Sequence, residues 1–279
     1  MTNLEQSGVM QNFLIPVDFS DASANALKYA FELNKHFFAR LNVLHVFDVP
    51  FSASPETDTA IYEYENIRES FKERAWSFIA DHKGEYHYDM EVAVTSGGHF
   101  QSVINYAQQM KSDMIILGNK GKTSLGRWFF GTVTQNLLRK APCIAIAVPE
   151  TFIWKDIKNI HVCTDFSEPL TEKQCQDLKM LAEKFSCQLN FLHVQDKVVV
   201  SLPEDNLSIH KIKQVFGKDP ITVPFENSVA SSLNKYISTM GGELVVTIPH
   251  HHTWLDKLFL GSETAAISEH LSVPILSLH

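Results

Sequence analysis

The sequence predicts an α/β protein in which a doubly wound parallel sheet is built twice in tandem, and three observations predict it. Short apolar runs alternate with amphipathic helical stretches along the chain. One apolar run, Met114 to Leu117, passes straight into a glycine-bearing loop and then a helix. The pattern of the first half restarts after Pro149. At 279 residues the chain suits one large domain or two of about 140. The expected domains are 1–150 and 151–279, with Glu150 to Lys158 as the connector.

Phe13 to Val17 is a short apolar run that ends in Asp18-Phe19-Ser20. Beyond it Ala22, Ala26, Tyr29, Ala30, Leu33 and Phe37 share a helical face, with Ser20 placed to cap it. Leu41 to Phe47 is nearly all apolar, as befits a parallel strand covered on both sides. Ile61, Tyr64, Ile67, Phe71, Ala75 and Phe78 mark a long amphipathic helix. Tyr86 to Val94 reads as a third strand, Val103 to Met110 as a helix and Met114 to Leu117 as a fourth strand. Cys143 to Val148 follows as a fifth. In such a sheet the ligand crevice lies at the carboxyl ends of the strands, where Asp18, His45 to Phe47, Gly97 and Gly118 fall.

The second copy is visible residue by residue. Asn159 to Ser167 repeats Asn12 to Ser20, with Asp165-Phe166-Ser167 matching Asp18-Phe19-Ser20, and Asn190 to Val194 repeats Asn42 to Val46. At an offset of 130, Thr123, Phe129, Gly131 and Thr134 match Thr253, Phe259, Gly261 and Thr264. The second copy is shorter, with a brief Pro203 to Phe216 stretch where the first has its long helix. Gly118 becomes Ile248 and Gly121 becomes His251, while Gly131-Thr132 persists as Gly261-Ser262. A loop that needs close backbone approach cannot keep a β-branched and a bulky residue there, so one phosphate site per chain is expected, in the first copy.

That site is the stretch Gly118 to Thr132, GNKGKTSLGRWFFGT. Glycines let backbone amides approach a ligand, and the first turn of the following helix points unsatisfied N–H groups and the Thr132 hydroxyl at an anion. Lys120, Lys122 and Arg127 add positive charge. A Gly-x2-Gly loop alone is mostly a turn. The longer pattern G-x2-G-x9-G-[ST], from Gly118, Gly121, Gly131 and Thr132 with Val133-Thr134 after it, resembles the nucleotide signature of the universal stress protein family. It is neither a Walker A loop nor a dinucleotide fingerprint. The resemblance covers nearly the whole chain, twice, and rests also on Ile15 to Ser20 and Leu44 to Val46.

The resemblance implies two Rossmann-like domains of the adenine nucleotide α-hydrolase-like type, each a five-stranded parallel sheet with helices on both faces. It implies ATP across the strand ends, with ADP or AMP and an accompanying Mg²⁺ as open alternatives. Pro16 and Asp18 would border base and ribose, and Val46 would pack on the adenine. Gly118 to Gly121 would wrap the phosphates, Thr132 to Thr134 would donate hydrogen bonds to them, and Leu117, Asn119, Lys120, Lys122, Gly131 and Val133 belong to the same nucleotide site. Asp18 has a second reading, because Asp-x-Ser before a helix is a common capping arrangement. The family's habit of pairing domains through fifth strands implies an internal pseudo-dimer of Cys143 to Val148 with Pro274 to Leu278, and a possible homodimer.

Composition excludes other classes. A net charge of −8 and a pI near 5.9 leave no basic excess for nucleic acid. No run of 18 apolar residues and no signal-like start are present, so a soluble cytoplasmic protein without a membrane segment is expected. Cys143, Cys163, Cys175 and Cys187 include no C-x-x-C pair. His45 and His193 repeat at matching strand positions and read as core histidines, with no Ser or Cys placed as a nucleophile. His250-His251-His252 fits no zinc spacing, and no metal site is expected. The expected function is a stress-response protein regulated by nucleotide occupancy and not an enzyme. A weak ATPase or transferase, and a scaffold with a vestigial site, are the alternatives.

Overall fold

A computed structural model describes residues 10–48, 58–87, 89–119, 131–164, 166–196, 206–225, 229–248 and 271–279. They fall into two compact units, 10–119 with 131–150, and 151–279. In the first, β1 (Asn12–Val17), α1 (Asp21–Phe37), β2 (Arg40–Phe47), α2 (Asp58–His82), β3 (Met90–Ser96), α3 (His99–Gln109), β4 (Met114–Asn119), α4 (Thr132–Lys140) and β5 (Ile144–Pro149) alternate along the chain. The strands lie in the order β3-β2-β1-β4-β5, all parallel. This is the doubly wound arrangement, whose order reverses between β1 and β4.

The faces follow from side-chain alternation. Phe13 of β1 meets Phe37 of α1 with ring centroids 5.5 Å apart, and His45 of β2 meets Phe71 of α2 at 4.7 Å. Phe13, Ile15 and Val17 therefore face α1 and α2, and β1 residues Leu14 and Pro16 face the opposite layer of α3 and α4. Ser20 caps α1, accepting from the Ser23 amide. Asn34 secures the other end of that helix: its side chain bonds the Ala39 amide and carbonyl at 2.7 Å each and the Tyr86 hydroxyl at 2.5 Å. Tyr86 is thus buried against α1, stacked on Phe31, and β3 begins four residues later than the aromatic pattern predicts.

The second unit comprises β6 (Asn159–Cys163), α5 (Glu172–Phe185), β7 (Gln188–Asp196), α6 (Leu207–Phe216), β8 (Ile221–Phe225), α7 (Val229–Met240), β9 (Leu244–Thr247) and β10 (Ile275–Ser277). Its parallel order is β10-β9-β6-β7-β8. The two copies share a fastening at the amino end of the first strand. Asp113 accepts from the Gln11 and Asn12 amides at 2.7 and 2.9 Å, and Glu243 accepts from Lys158 and Asn159 at 3.0 and 2.9 Å.

His161 is expected to make the second unit acid-sensitive. It is 2% exposed, its Nε2–H donates to the Gly241 carbonyl at 2.6 Å, and its Nδ1 has no partner. Burial holds its pKa below the ordinary 6.5, opposed by the Gly241 carbonyl and the Glu243 charge. A proton on Nδ1 would be a buried charge without an acceptor. The unfolded chain therefore binds that proton more readily, and stability is complete above pH 6.5 and lost as pH falls toward the folded value. Burial acts likewise on His279, pushed down to about 4. The urea midpoint is expected to drop between pH 6.5 and 4, His161 adding at most about 1.4 kcal/mol per pH unit. In His161→Gln the slope is shallower; an equal slope would contradict the assignment.

Candidate functional site

The β1–β4 hydrogen-bond ladder of the first unit opens toward its carboxyl end, and Pro16 makes that opening in the pairing. The β1–β2 ladder runs the length of the strand, from Asn12↔Arg40 to Val17↔His45. The β1–β4 ladder stops after Phe13↔Met114 and Leu14↔Ile115. Asn12 gives its carbonyl to the Asp113 amide on the β4 side, so by alternation Leu14 and Pro16 also turn their backbone groups toward β4. Pro16 has no N–H to give. The pairing ends there, at the carboxyl ends where the strand order reverses.

Residues from several elements converge on one side of this opening. Leu14 pairs with Ile115, so Pro16, Leu117 and Asn119 share the α3/α4 face. Pro16 pairs with Leu44, which puts Val46 on that face as well. Val46 and Leu117 are buried at 7% and 4% exposure, and Asp18 is exposed at the end of β1. Asp18 Oδ1 accepts from the Ser20 amide at 3.1 Å and from the Ser20 hydroxyl at 2.5 Å, so this oxygen holds the turn into α1.

Gly118 points the other way. A Cβ built on it would lie 2.4 Å from the backbone C and O of Ala22 and 2.8 Å from the Ser23 amide nitrogen. Its missing side chain lets the first turn of α1 rest on β4, a different reason from the ligand approach that the sequence suggests. Gly131 is the converse case. Its φ is −59°, open to any residue, and a Cβ there would meet nothing closer than the Thr134 hydroxyl at 4.0 Å. Nothing in the described protein requires glycine at this position.

Helix ends supply the electrostatics. Gly131 is the N-cap of α4 and Gly98 that of α3; neither cap provides a side-chain hydrogen bond, and neither first turn has an acid. Both N-termini carry the positive end of the helix dipole. By contrast α1, on the opposite face, is capped by Ser20 and has Asp21 in its first turn. Thr134, 6% exposed, donates its hydroxyl to the Gly118 carbonyl at 3.3 Å, tying α4 to β4 where the resemblance implies a bond to phosphate. Thr132 and Val133 stand exposed and half-buried in the same first turn.

Residues 10–149 match the profile of the Universal stress protein family. The chain belongs to this family. A universal stress protein of Methanocaldococcus jannaschii is 29% identical over 142 residues, 50% of this chain and 81% of that protein. One of Bacillus subtilis is 24% identical over 147 residues, 50% of this chain and 99% of that one. Among solved structures, a universal stress protein from Archaeoglobus fulgidus shares the fold over 96% of this chain and 97% of its own, with a TM-score of 0.67 at 15% identity. A functionally unknown protein from Pseudomonas aeruginosa does so over 96% and 92%, with a TM-score of 0.58 at 13% identity. The single-domain relatives span one copy of this chain, and the two solved folds span both.

The second copy of this universal stress protein is closed where the first is open. Cys163 replaces Pro16 and has an N–H, and the β6–β9 ladder continues through Val162↔Val246 to Cys163↔Thr247. Ile248, in the place of Gly118, is buried at 4% exposure. Helix α5 begins at Glu172, capped by a Thr171–Gln174 box, about one turn later in its copy than α1 does. The carbonyl of Phe166 is held by Asn206 Nδ2 at 3.2 Å and the Ser208 hydroxyl at 3.1 Å.

His45 lies outside the opening. Its pairing with Val17 puts it on the α1/α2 face, 7% exposed between the rings of Phe19 and Phe71. Nδ1–H donates to the Val17 carbonyl at 2.9 Å, and burial lowers its pKa. His193 repeats the arrangement with the Thr164 carbonyl and Phe166. Lys120, Gly121, Lys122 and Arg127 lie outside the described residues, as do Asp165, His250 to His252, Gly261 and Ser262. Among the described residues no group of His, Cys, Asp and Glu could hold a metal, and no helix is long and apolar enough to cross a membrane. Sequence reasoning missed what Pro16 does to the ladder; a proline in an otherwise central strand was the available signal.

Proposed function

We propose that the domain 1–150 binds an adenine nucleotide, ATP in the first place, and that the protein is a stress-response regulator whose output is occupancy rather than turnover. The observation that carries this reading is the opening at Pro16, flanked on one face by two helix N-termini without side-chain caps or acids. Apolar Pro16, Val46 and Leu117 suit a base, and the Asp18 carboxylate suits ribose hydroxyls. The stretch Gly118 to Lys122 and the first turn after Gly131 suit phosphates, whose charge the α4 dipole favours. The domain 151–279 serves as a partner without a nucleotide, since its ladder is closed at the equivalent point.

The test is to denature the purified protein, identify any released nucleotide by chromatography, and titrate the nucleotide-free protein with Mg-ATP in a thermal melt. Near one ATP per chain, no hydrolysis, and stabilisation of about 2.7 kcal/mol at a hundredfold excess over Kd are expected. Release of none, with no shift at millimolar ATP, would defeat the reading. Steady production of ADP would replace the occupancy mechanism with an ATPase.

A further inference from the structure

The last residue of β4 presents an acceptor that the protein leaves unused. Asn119 is 4% exposed, and its Oδ1 is buried without any hydrogen-bond partner among the described residues. Its backbone is accounted for, because the Asn119 carbonyl accepts from the Glu150 amide at 3.1 Å and the strand pairs with Pro149 of β5. The side chain is a different matter. A buried amide oxygen with no donor costs about 1–3 kcal/mol, which a native fold normally avoids.

Its direction is settled by its neighbour. Gly118 presents its Cβ direction to α1, so Asn119 projects from the opposite face, where Pro16, Leu117 and Val46 are gathered and where the β1–β4 ladder has ended. The unused oxygen thus lies buried on the side of β4 where the β1–β4 ladder has ended. Phosphate at neutral pH brings acceptors, not donors, and an amide oxygen held against it would be repelled. The group that satisfies Asn119 must carry an N–H or O–H.

We propose that Asn119 Oδ1 accepts a hydrogen bond from the nucleoside part of the bound nucleotide, from a ribose hydroxyl or the exocyclic amine of the base, and so selects for that donor. This inference rests on the nucleotide reading above and assigns Asn119 to the nucleoside, not to the phosphates. A buried acceptor rejects a ligand that lacks its donor, because the oxygen is then left dry again.

The experiment measures affinity by calorimetry for ATP, 2′-deoxyATP, 3′-deoxyATP and inosine triphosphate, with wild-type protein and Asn119→Ala. One of the three analogues is expected to bind wild type about 5- to 150-fold more weakly than ATP, which identifies the donor. Asn119→Ala is expected to bind ATP as weakly as wild type binds that analogue, and to bind the analogue no worse than wild type does. Unchanged ATP affinity in the variant overturns the proposal. So does an equal loss for all four nucleotides accompanied by weaker binding of inorganic triphosphate. If wild type binds none of the four, the nucleotide reading itself fails and this one with it. A separate measurement needs no nucleotide: ligand-free Asn119→Ala is expected to melt within about 4 °C of wild type, since Oδ1 has no bond to lose among the described residues. A fall of more than about 4 °C would mean that the amide has a structural partner.

Discussion

Gly118→Ala is expected to destabilise the first unit by roughly 3 kcal/mol, the upper part of the range for overpacking a close-fitted site. The added Cβ would come within 2.4 Å of the Ala22 carbonyl carbon and oxygen. Both atoms are backbone, in the first turn of a helix capped by Ser20 and packed over β4, so no side-chain rotation can relieve the contact. Either α1 lifts from the sheet or its first turn unwinds. In the second copy, where Ile248 fills the position, α5 starts about one turn later, at Glu172. Urea unfolding of ligand-free protein measures the effect, and an unchanged midpoint would refute the packing argument. Because the loss appears without nucleotide, weakened ATP binding in this variant cannot be read as loss of a phosphate contact.

The comparison of Gly118 with Gly131 shows where sequence reasoning reaches its limit. Both glycines belong to one spacing pattern, and the pattern leads to the site. It does not say which backbone each glycine admits. That depends on which face of β4 receives α1, and the parity of a strand against its neighbours is not written in its own residues. The same ignorance affects His45: its apolar strand is legible, yet only the pairing Val17↔His45 puts it on the α2 side and out of the opening. Ser20 and the long α2 were legible because caps and helical periodicity are local. Tyr86 misled for the converse reason. It looks like strand, but a bond from Asn34, 52 positions earlier, and stacking on Phe31 hold it outside β3. The repeat was the most informative feature, since the exchanges of Pro16 for Cys163 and Gly118 for Ile248 coincide with a ladder that closes and a helix that retreats.

Gly131→Asp is expected to act in opposite directions on folding and on binding. The position is an N-cap with φ −59° and ψ 148°, which aspartate adopts readily, and among the described residues a new Cβ meets nothing closer than 4.0 Å. A carboxylate there would accept from the amides of the first turn of α4 and meet the positive end of the helix dipole. Both effects are favourable, by about 0.5–1 kcal/mol together. The same amides are the donors assigned to phosphate, so the variant would present a fixed negative charge in their place. At about 4 Å and an effective dielectric near 20, two unit charges repel by about 4 kcal/mol, enough for more than a hundredfold loss of ATP affinity. Gly131→Asn separates the two causes, because it caps the helix without charge and is expected to weaken ATP by only about tenfold. Binding of adenosine should fall much less in both variants. If Gly131→Asp melts higher and still binds ATP with wild-type affinity, the phosphates do not lie at the N-terminus of α4, and the glycine there is explained by neither folding nor ligand.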